Sequence, residues 1–326
     1  MSQALPIVLI AHRLDADGRL AYEGRLAGLA RCVVATELTP SERRQWISQA
    51  TVLATFSPSH EVDESDLQEA SRLSLVQCLA AGRDRFPFER FKGPAIAFNP
   101  GAAAQPIAEH ALALILALAK NLLSRHQQMA QGQFNQMAVN LRLAGKTAAV
   151  IGLGAIGSRV SAMLQALDVT VRAINRSGRA PVSVPLCRTL DGLGVVLDQA
   201  DIVVVAIELN HATVGLIGRE ELQRMRPDAV LVNVSRAAVV QQDALFEHLQ
   251  THPQFRAGLD VWWQEPMHGG GFELEHPFFT LPNLIGSPHN SPMVPGIMTD
   301  LIDAACANIA RHLRGEPVLH LATRAL

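Results

Sequence analysis

Short apolar runs alternate with polar, helix-compatible stretches through the first hundred residues. The runs at Ile7–Ile10, 33–35, Val52–Thr55 and 75–79 are each long enough for one buried strand. This alternation predicts a parallel α/β layer. The pattern changes near Asn99-Pro100-Gly101. From 104 to about 126 the chain predicts one long, very apolar helix, whereas 127–143 is polar and irregular. A second α/β run begins at Lys146. Its predicted strands are 147–151, 169–175, 201–207, 229–234, 256–260 and 284–286, with helices around 155–167, 219–226 and 241–250. Six strands of this kind match a complete dinucleotide-binding sheet. A final helix spans about 296–314 and stops at Gly315. No short-period repeat or low-complexity linker interrupts the pattern.

Composition narrows the class. A length of 326 residues suits about two domains, and 48% hydrophobic against 18% charged residues allows a large core. A net charge of −2 argues against a general polyanion-binding surface, so no nucleic-acid partner is expected. Cys32, Cys78, Cys187 and Cys306 show neither metal spacing nor a redox pair, which fits buried thiols in a reducing, cytoplasmic setting. The N-terminus lacks the basic start and long apolar run of a signal peptide. The apolar stretch 111–119 is too short to span a bilayer, so no membrane partner is expected.

The densest chemistry lies at Ile151-Gly152-Leu153-Gly154-Ala155-Ile156-Gly157. A strand, a tight glycine turn and a helix start form a dinucleotide pyrophosphate site. Gly152 permits the turn, Gly154 lets the backbone approach the phosphates, and Gly157 lets the helix pack on the strand. The amides of Ala155, Ile156 and Gly157 at the helix start then face the anion. At the end of the next strand stand Asn175, Arg176 and Ser177, where an acidic residue would bind the adenosine ribose. Without that carboxylate a 2′-phosphate meets no repulsion, and Arg176 can bind it by charge-assisted hydrogen bonds. The cofactor expected is therefore NADP(H) rather than NAD(H); the alternative for Arg176 is a solvated surface charge. Three later strands run into Asn233-Val234-Ser235-Arg236, Asp260-Val261-Trp262-Trp263-Gln264-Glu265-Pro266 and Ser287-Pro288-His289. Ligands bind outside the carboxyl ends of such strands, so an arginine, a glutamate and a histidine would converge on one crevice.

On these residues, and on Ile107-Ala108-Glu109-His110, the chain closely resembles the D-isomer-specific 2-hydroxyacid dehydrogenases over essentially its whole length. The resemblance implies a Rossmann cofactor domain, 101–290, inserted into a discontinuous flavodoxin-like substrate domain, 1–100 and 291–326. Both would be doubly wound parallel sheets. It implies hydride transfer between the cofactor and the 2-carbon of a 2-keto or 2-hydroxy acid. Arg236 would bind the substrate, His289 would be the acid–base residue and Glu265 its partner. Asp260 would bind the nicotinamide amide, and Thr213 would lie near the cofactor. Ala81, Gly82 and Arg83 resemble the loop whose amides hold the substrate carboxylate. A homodimer is implied, and no metal.

Several positions depart from the family pattern. Arg83 replaces an apolar or aromatic residue, and either gives the substrate a second positive partner or is a solvated loop charge. Ala206 and Glu208 stand where His and Pro are frequent. Phe134 lies near a family tryptophan that reaches into the neighbouring subunit. Trp262, Trp263 and the loop His268-Gly269-Gly270-Gly271 lengthen the connection from glutamate to histidine. A different class remains open: a dinucleotide-responsive binding protein of the co-repressor kind with little turnover. A formate or phosphite enzyme is a third reading, and Glu265 stands where formate members carry Gln.

Overall fold

The computed structural model describes residues 4–198, 200–266 and 271–322. The chain divides into two compact units, one of Met1–Ala103 with Val294–Leu326 and one of Ala104–Met293.

The first unit holds β1 (Ile7–Ile10), β2 (Arg31–Val34), β3 (Val52–Thr55), β4 (Leu75–Cys78) and β5 (Ala95–Ala97) in the order β2-β1-β3-β4-β5. All pairs are parallel. This is the 2-1-3-4-5 order of a flavodoxin-like sheet. Strand alternation sorts the core into two faces. Val8, Ile10, Val52 and Ala54 pack with Tyr22, Leu26 and the C-terminal helix Ile297–Leu313, while Leu9, Leu53 and Val76 pack with Ile47, Phe86, Phe91 and Phe98. A buried polar tie also fastens that helix: the Asn308 amide donates to Gln77 Oε1 at 2.7 Å and to the Leu319 carbonyl at 3.0 Å. The sequence pattern does not reveal β5, because Ile96 is its one large apolar residue.

The second unit holds β6 (Thr147–Ile151), β7 (Thr170–Ile174), β8 (Leu186–Arg188), β9 (Ile202–Val205), β10 (Val230–Asn233), β11 (Arg256–Leu259) and β12 (Leu284–Gly286). Their order is β12-β11-β10-β9-β6-β7-β8, again parallel throughout. Counted from β6 this is 3-2-1-4-5-6, the Rossmann order, with a seventh strand at the far edge. β8 is a strand the periodicity misses: three half-buried or exposed residues, paired to β7 alone. Side chains from alternate positions fill both faces, with Ala149, Ile151, Val203 and Val205 on one and Ala148, Val150, Ile202 and Val204 on the other.

The single long helix expected from 104 to 126 is two helices. Ala104–Ala119 and Leu122–Ala130 meet at an angle of 54°. Asn121 breaks them with φ +51, and its side-chain oxygen accepts from Arg256 Nε at 3.1 Å. The first helix buries Ala108, Ala111, Leu114, Ile115 and Leu118, whereas the second buries no residue. Helix also extends to Ala130, into the stretch expected to be irregular. Among the described residues no single helix is long and apolar enough to cross a membrane.

Candidate active site

All seven strands of the larger sheet point the same way, so every functional loop in this unit leaves from one edge. The glycine turn follows β6, next to the place where strand order reverses between β6 and β9. Gly152 has φ +101, and a Cβ there would lie 2.4 Å from the Ala206 carbonyl oxygen. A Cβ at Gly157 would lie 1.9 Å from the Gly152 oxygen. Both positions therefore admit glycine alone. Gly154 differs, because a Cβ there would meet nothing within 4 Å. Open space over Gly154, at the N-cap of the helix Ala155–Gln165, is what a pyrophosphate needs in order to reach the first-turn amides. The residues fit a dinucleotide.

At the end of β7 a small turn is tied to itself. The Asn175 amide donates to the Arg179 carbonyl at 2.7 Å, and Ser177 Oγ accepts from Arg179 N at 3.2 Å. Asn175 also donates its backbone N–H to Arg188 O at 3.0 Å, which fastens the turn to β8. Arg176 and Ser177 are exposed, and Arg176 makes no ion pair among the described residues. Two further exposed arginines, Arg179 and Arg188, share this neighbourhood.

Arg236, Glu265 and His289 follow β10, β11 and β12, which are adjacent in the sheet. With strands about 4.8 Å apart, the loops after β10 and β12 start about 10 Å apart. Asn233 shapes the first loop. It is 1% exposed, its amide donates to the Arg236 carbonyl at 2.9 Å, and its oxygen accepts from Ser235 N at 3.0 Å. Arg236 is half-buried, with Nη1 donating to the Ser235 carbonyl at 2.8 Å. His289 Nδ1 lies 2.9 Å from Glu265 Oε1, and the glutamate side chain is 13% exposed against 37% for the histidine. The same carboxylate oxygen accepts from Trp262 N at 3.1 Å, and the Trp262 indole donates to the Ser287 carbonyl at 2.8 Å. Trp262 thus holds both the glutamate and the approach to the histidine. Trp263 instead donates to Val240 O at 2.9 Å and stacks on Phe278. Of the inserted loop, His268, Gly269 and Gly270 lie outside the described residues, and Gly271 is exposed.

Two residues expected to meet the cofactor are turned inward. Asp260 is 0% exposed and Thr213 is 2% exposed. Thr213 Oγ1 donates to the Glu208 carbonyl at 2.6 Å and accepts from Asn210 N at 2.8 Å, so it closes its own turn. The Asp260 carboxylate accepts from Ser287 Oγ at 2.6 Å and from the amides of Asn290 and Ser291 at 3.2 Å each. Both side chains are thus hydrogen-bonded to the loops around them. Ser287 and His110, whose Nε2 lies 2.8 Å from Ser287 Oγ, carry no role in the sequence reading although both sit inside the family-like motifs.

In the first unit, Ala81, Gly82 and Arg83 follow β4 in a loop with Ala81 exposed. The Arg83 guanidinium lies 5.4 Å from the centre of the Phe98 ring, a cation–π contact that directs it along that ring.

Known proteins resemble the chain along most of its length. The D-3-phosphoglycerate dehydrogenase of Methanocaldococcus jannaschii is 28% identical over 287 residues, covering 87% of this chain and 53% of that protein. The chain thus spans about half the length of that relative. The glyoxylate reductase/hydroxypyruvate reductase of Homo sapiens is 28% identical over 324 residues, covering 95% of this chain and 96% of that one. A solved structure of a D-isomer specific 2-hydroxyacid dehydrogenase family protein from Aeromonas salmonicida shares the fold, with a TM-score of 0.83 at 23% identity over 98% of this chain and 99% of that one. Residues 112–291, more than half of the chain, match the family described as D-isomer specific 2-hydroxyacid dehydrogenase, NAD binding domain, and the chain belongs to the D-isomer specific 2-hydroxyacid dehydrogenases.

Proposed function

We propose that this oxidoreductase works as an NADP(H)-dependent, D-specific 2-keto acid reductase. The observation that carries the proposal is the 2.9 Å pair of His289 Nδ1 and Glu265 Oε1, on the sheet edge that also holds Arg236 and the glycine turn. The nicotinamide, when bound, supplies or accepts the hydride. Arg236 binds the substrate carboxylate or carbonyl oxygen and stabilises negative charge developing there. His289 spends its Nδ1–H on Glu265, which leaves Nε2 to give a proton to the carbonyl oxygen in reduction and to take it from the hydroxyl in oxidation. Glu265 keeps the ring in that orientation. The amides of Ala81, Gly82 and Arg83 hold the substrate carboxylate, and the Arg83 guanidinium favours acids with a second anionic group.

The exposed Arg176 on a turn that lacks a carboxylate supports NADP(H) over NAD(H). Nothing in the comparisons supports the binding-protein alternative. The test is a panel of mono- and dicarboxylic 2-keto acids with NADPH or NADH, followed by nicotinamide absorbance. Oxidation of NADPH by at least one 2-keto acid, faster than of NADH, is expected; no turnover with any of them would sink the proposal.

We also infer a homodimer. The helix Leu122–Ala130 buries none of its residues, and Leu122, Met129, Phe134, Met137 and Val139 are 56%, 60%, 70%, 86% and 85% exposed. So large an apolar surface fits a partner copy better than water. Sedimentation should give a dimer at micromolar concentration, and Phe134→Ser with Met137→Ser should weaken it. A wild-type monomer would remove the inference. The cysteines described as free thiols support a reducing, cytoplasmic setting.

A further inference from the structure

Asp260 is fully buried at the end of β11, and among the described residues it has no lysine or arginine partner. A carboxylate in such a place persists only where donors surround it. Three of its donors come from one loop. Ser287 Oγ gives its proton to Oδ1 at 2.6 Å, Asn290 N donates to Oδ1 at 3.2 Å, and Ser291 N donates to Oδ2 at 3.2 Å. A fourth group arrives from elsewhere. His110, on the helix Ala104–Ala119, places Nε2 2.8 Å from Ser287 Oγ and 3.6 Å from Asp260 Oδ1. Ser287 has a single hydroxyl proton and spends it on Asp260, so the His110 Nε2–H donates to Ser287 Oγ.

These donors bracket one residue. Ser287 precedes His289 by two positions, and Asn290 and Ser291 follow it directly. His289 itself has φ +52, a left-handed backbone that a residue with a Cβ keeps only where its surroundings hold it there. We propose that Asp260, Ser287 and His110 form a buried anchor that positions His289: the carboxylate clamps both flanks of the histidine, and the long apolar helix delivers His110 to hold the serine hydroxyl. The anchor rests on His289 being the proton-transfer residue. Its three members do not touch the substrate; they are positioning residues.

The test is a set of variants of the full-length protein: Ser287→Ala, Asp260→Asn, His110→Ala, His110→Gln and His289→Gln. Each is assayed with the 2-keto acid that the wild type reduces fastest, and cofactor affinity is measured by fluorescence titration. General acid–base catalysis contributes about 10²- to 10⁴-fold, and a shift of about 1 Å in a reacting group can cost about 10²-fold. Asp260→Asn, which replaces one carboxylate oxygen by an amide donor facing one of the backbone N–H groups, should lower kcat about a hundredfold. Ser287→Ala and His110→Ala should each lower it about three- to tenfold, and His110→Gln, which can still donate to Ser287, should recover most of that loss. In the Ser287→Ala, His110→Ala and His110→Gln proteins cofactor affinity should change less than about twofold, because the pyrophosphate site is untouched. The decisive readout is coupling: Ser287→Ala placed on His289→Gln should cause no further loss in kcat.

Folded Ser287→Ala and His110→Ala proteins with wild-type kcat, beside an inactive His289→Gln protein, would overturn the anchor while leaving the role of His289 intact. Losses that simply multiply in the double variant would overturn it too. A His289→Gln protein with normal turnover would overturn the reading beneath it, and the anchor with it. If Asp260→Asn does not fold, the serine and histidine variants still decide.

Discussion

Two loops leave the same edge of the seven-stranded sheet and are held in opposite ways. The loop 287–291 after β12 is bound to a carboxylate that is 0% exposed, and the Trp262 indole grips the Ser287 carbonyl from another side. The turn 175–179 after β7 is held by its own side chains, through Asn175 and Ser177, and leaves Arg176 and Arg179 exposed. The difference is energetic. A buried carboxylate stripped of its donors costs several kcal/mol, so the first loop has one conformation available. A solvated turn loses little when one hydrogen bond is exchanged for water. Positioning for proton transfer belongs on the first kind of support. The proposed discrimination between cofactors would need an exposed cation only, and the second kind would suffice.

The largest effect should come from the rigid loop itself. His289→Gln is expected to lower kcat by about 10²- to 10⁴-fold with cofactor affinity retained. Steady-state kinetics beside a cofactor titration would check it, and near-normal turnover would end the case for the Arg236, Glu265 and His289 set. Glu265→Gln keeps a side-chain oxygen for His289 Nδ1, so its loss in kcat should be smaller, about ten- to a hundredfold. A loss equal to that of the histidine variant would mean that the glutamate does more than orient the ring.

On the other loop, Arg176→Ala should raise KM for NADPH by about ten- to a hundredfold, the worth of one charge-assisted phosphate contact, and leave KM for NADH nearly unchanged. Wild-type protein that uses both cofactors equally well would refute the assignment. So would equal effects of the substitution on the two, because that would make Arg176 structural and erase the contrast between the loops.

The smallest effect on turnover concerns a histidine remote from both loops. His248 is 8% exposed, stacks on His252 with ring centres 4.0 Å apart, and has a buried Nε2 without a hydrogen-bond partner among the described residues. Burial, and secondarily the neighbouring His252, pushes its pKa down to about 4. The unfolded chain binds this proton near pH 6.5, whereas the folded chain resists until about 4, so stability should fall as pH drops through that window. The gap corresponds to at most about 3 kcal/mol. His248→Leu should flatten this acid dependence in urea melts at pH 7 and about pH 4.5, and parallel curves for the two proteins would dismiss it. The comparison of loops is sharpened as well, since rates measured in that acid window also report the stability of the sheet beneath both of them.

Much of this architecture was legible because burial on both faces of a parallel sheet leaves near-continuous apolar runs. Val52–Thr55, Ile202–Val205 and Val230–Asn233 announce themselves in this way. β5 and β8 do not, because short edge strands bury too little to leave a pattern. The glycines were legible for a related reason. A backbone that turns at φ +101 beneath another loop, as at Gly152, excludes every side chain and so marks the sequence. Long-range pairing leaves no such mark. Nothing between Ala104 and Ala119 says that His110 meets a serine 177 positions later, or that Asn121 breaks the helix against Arg256. The motif order named Asp260 and Thr213, but it could not show which loop groups their oxygens meet. The sequence by itself determined most of the elements, the parallel sheets and the residue types at the site, because hydrophobic period and glycine sterics act locally. Only the tertiary structure decided which polar groups are spent on one another, because a buried donor is satisfied by whatever the fold brings within hydrogen-bonding distance.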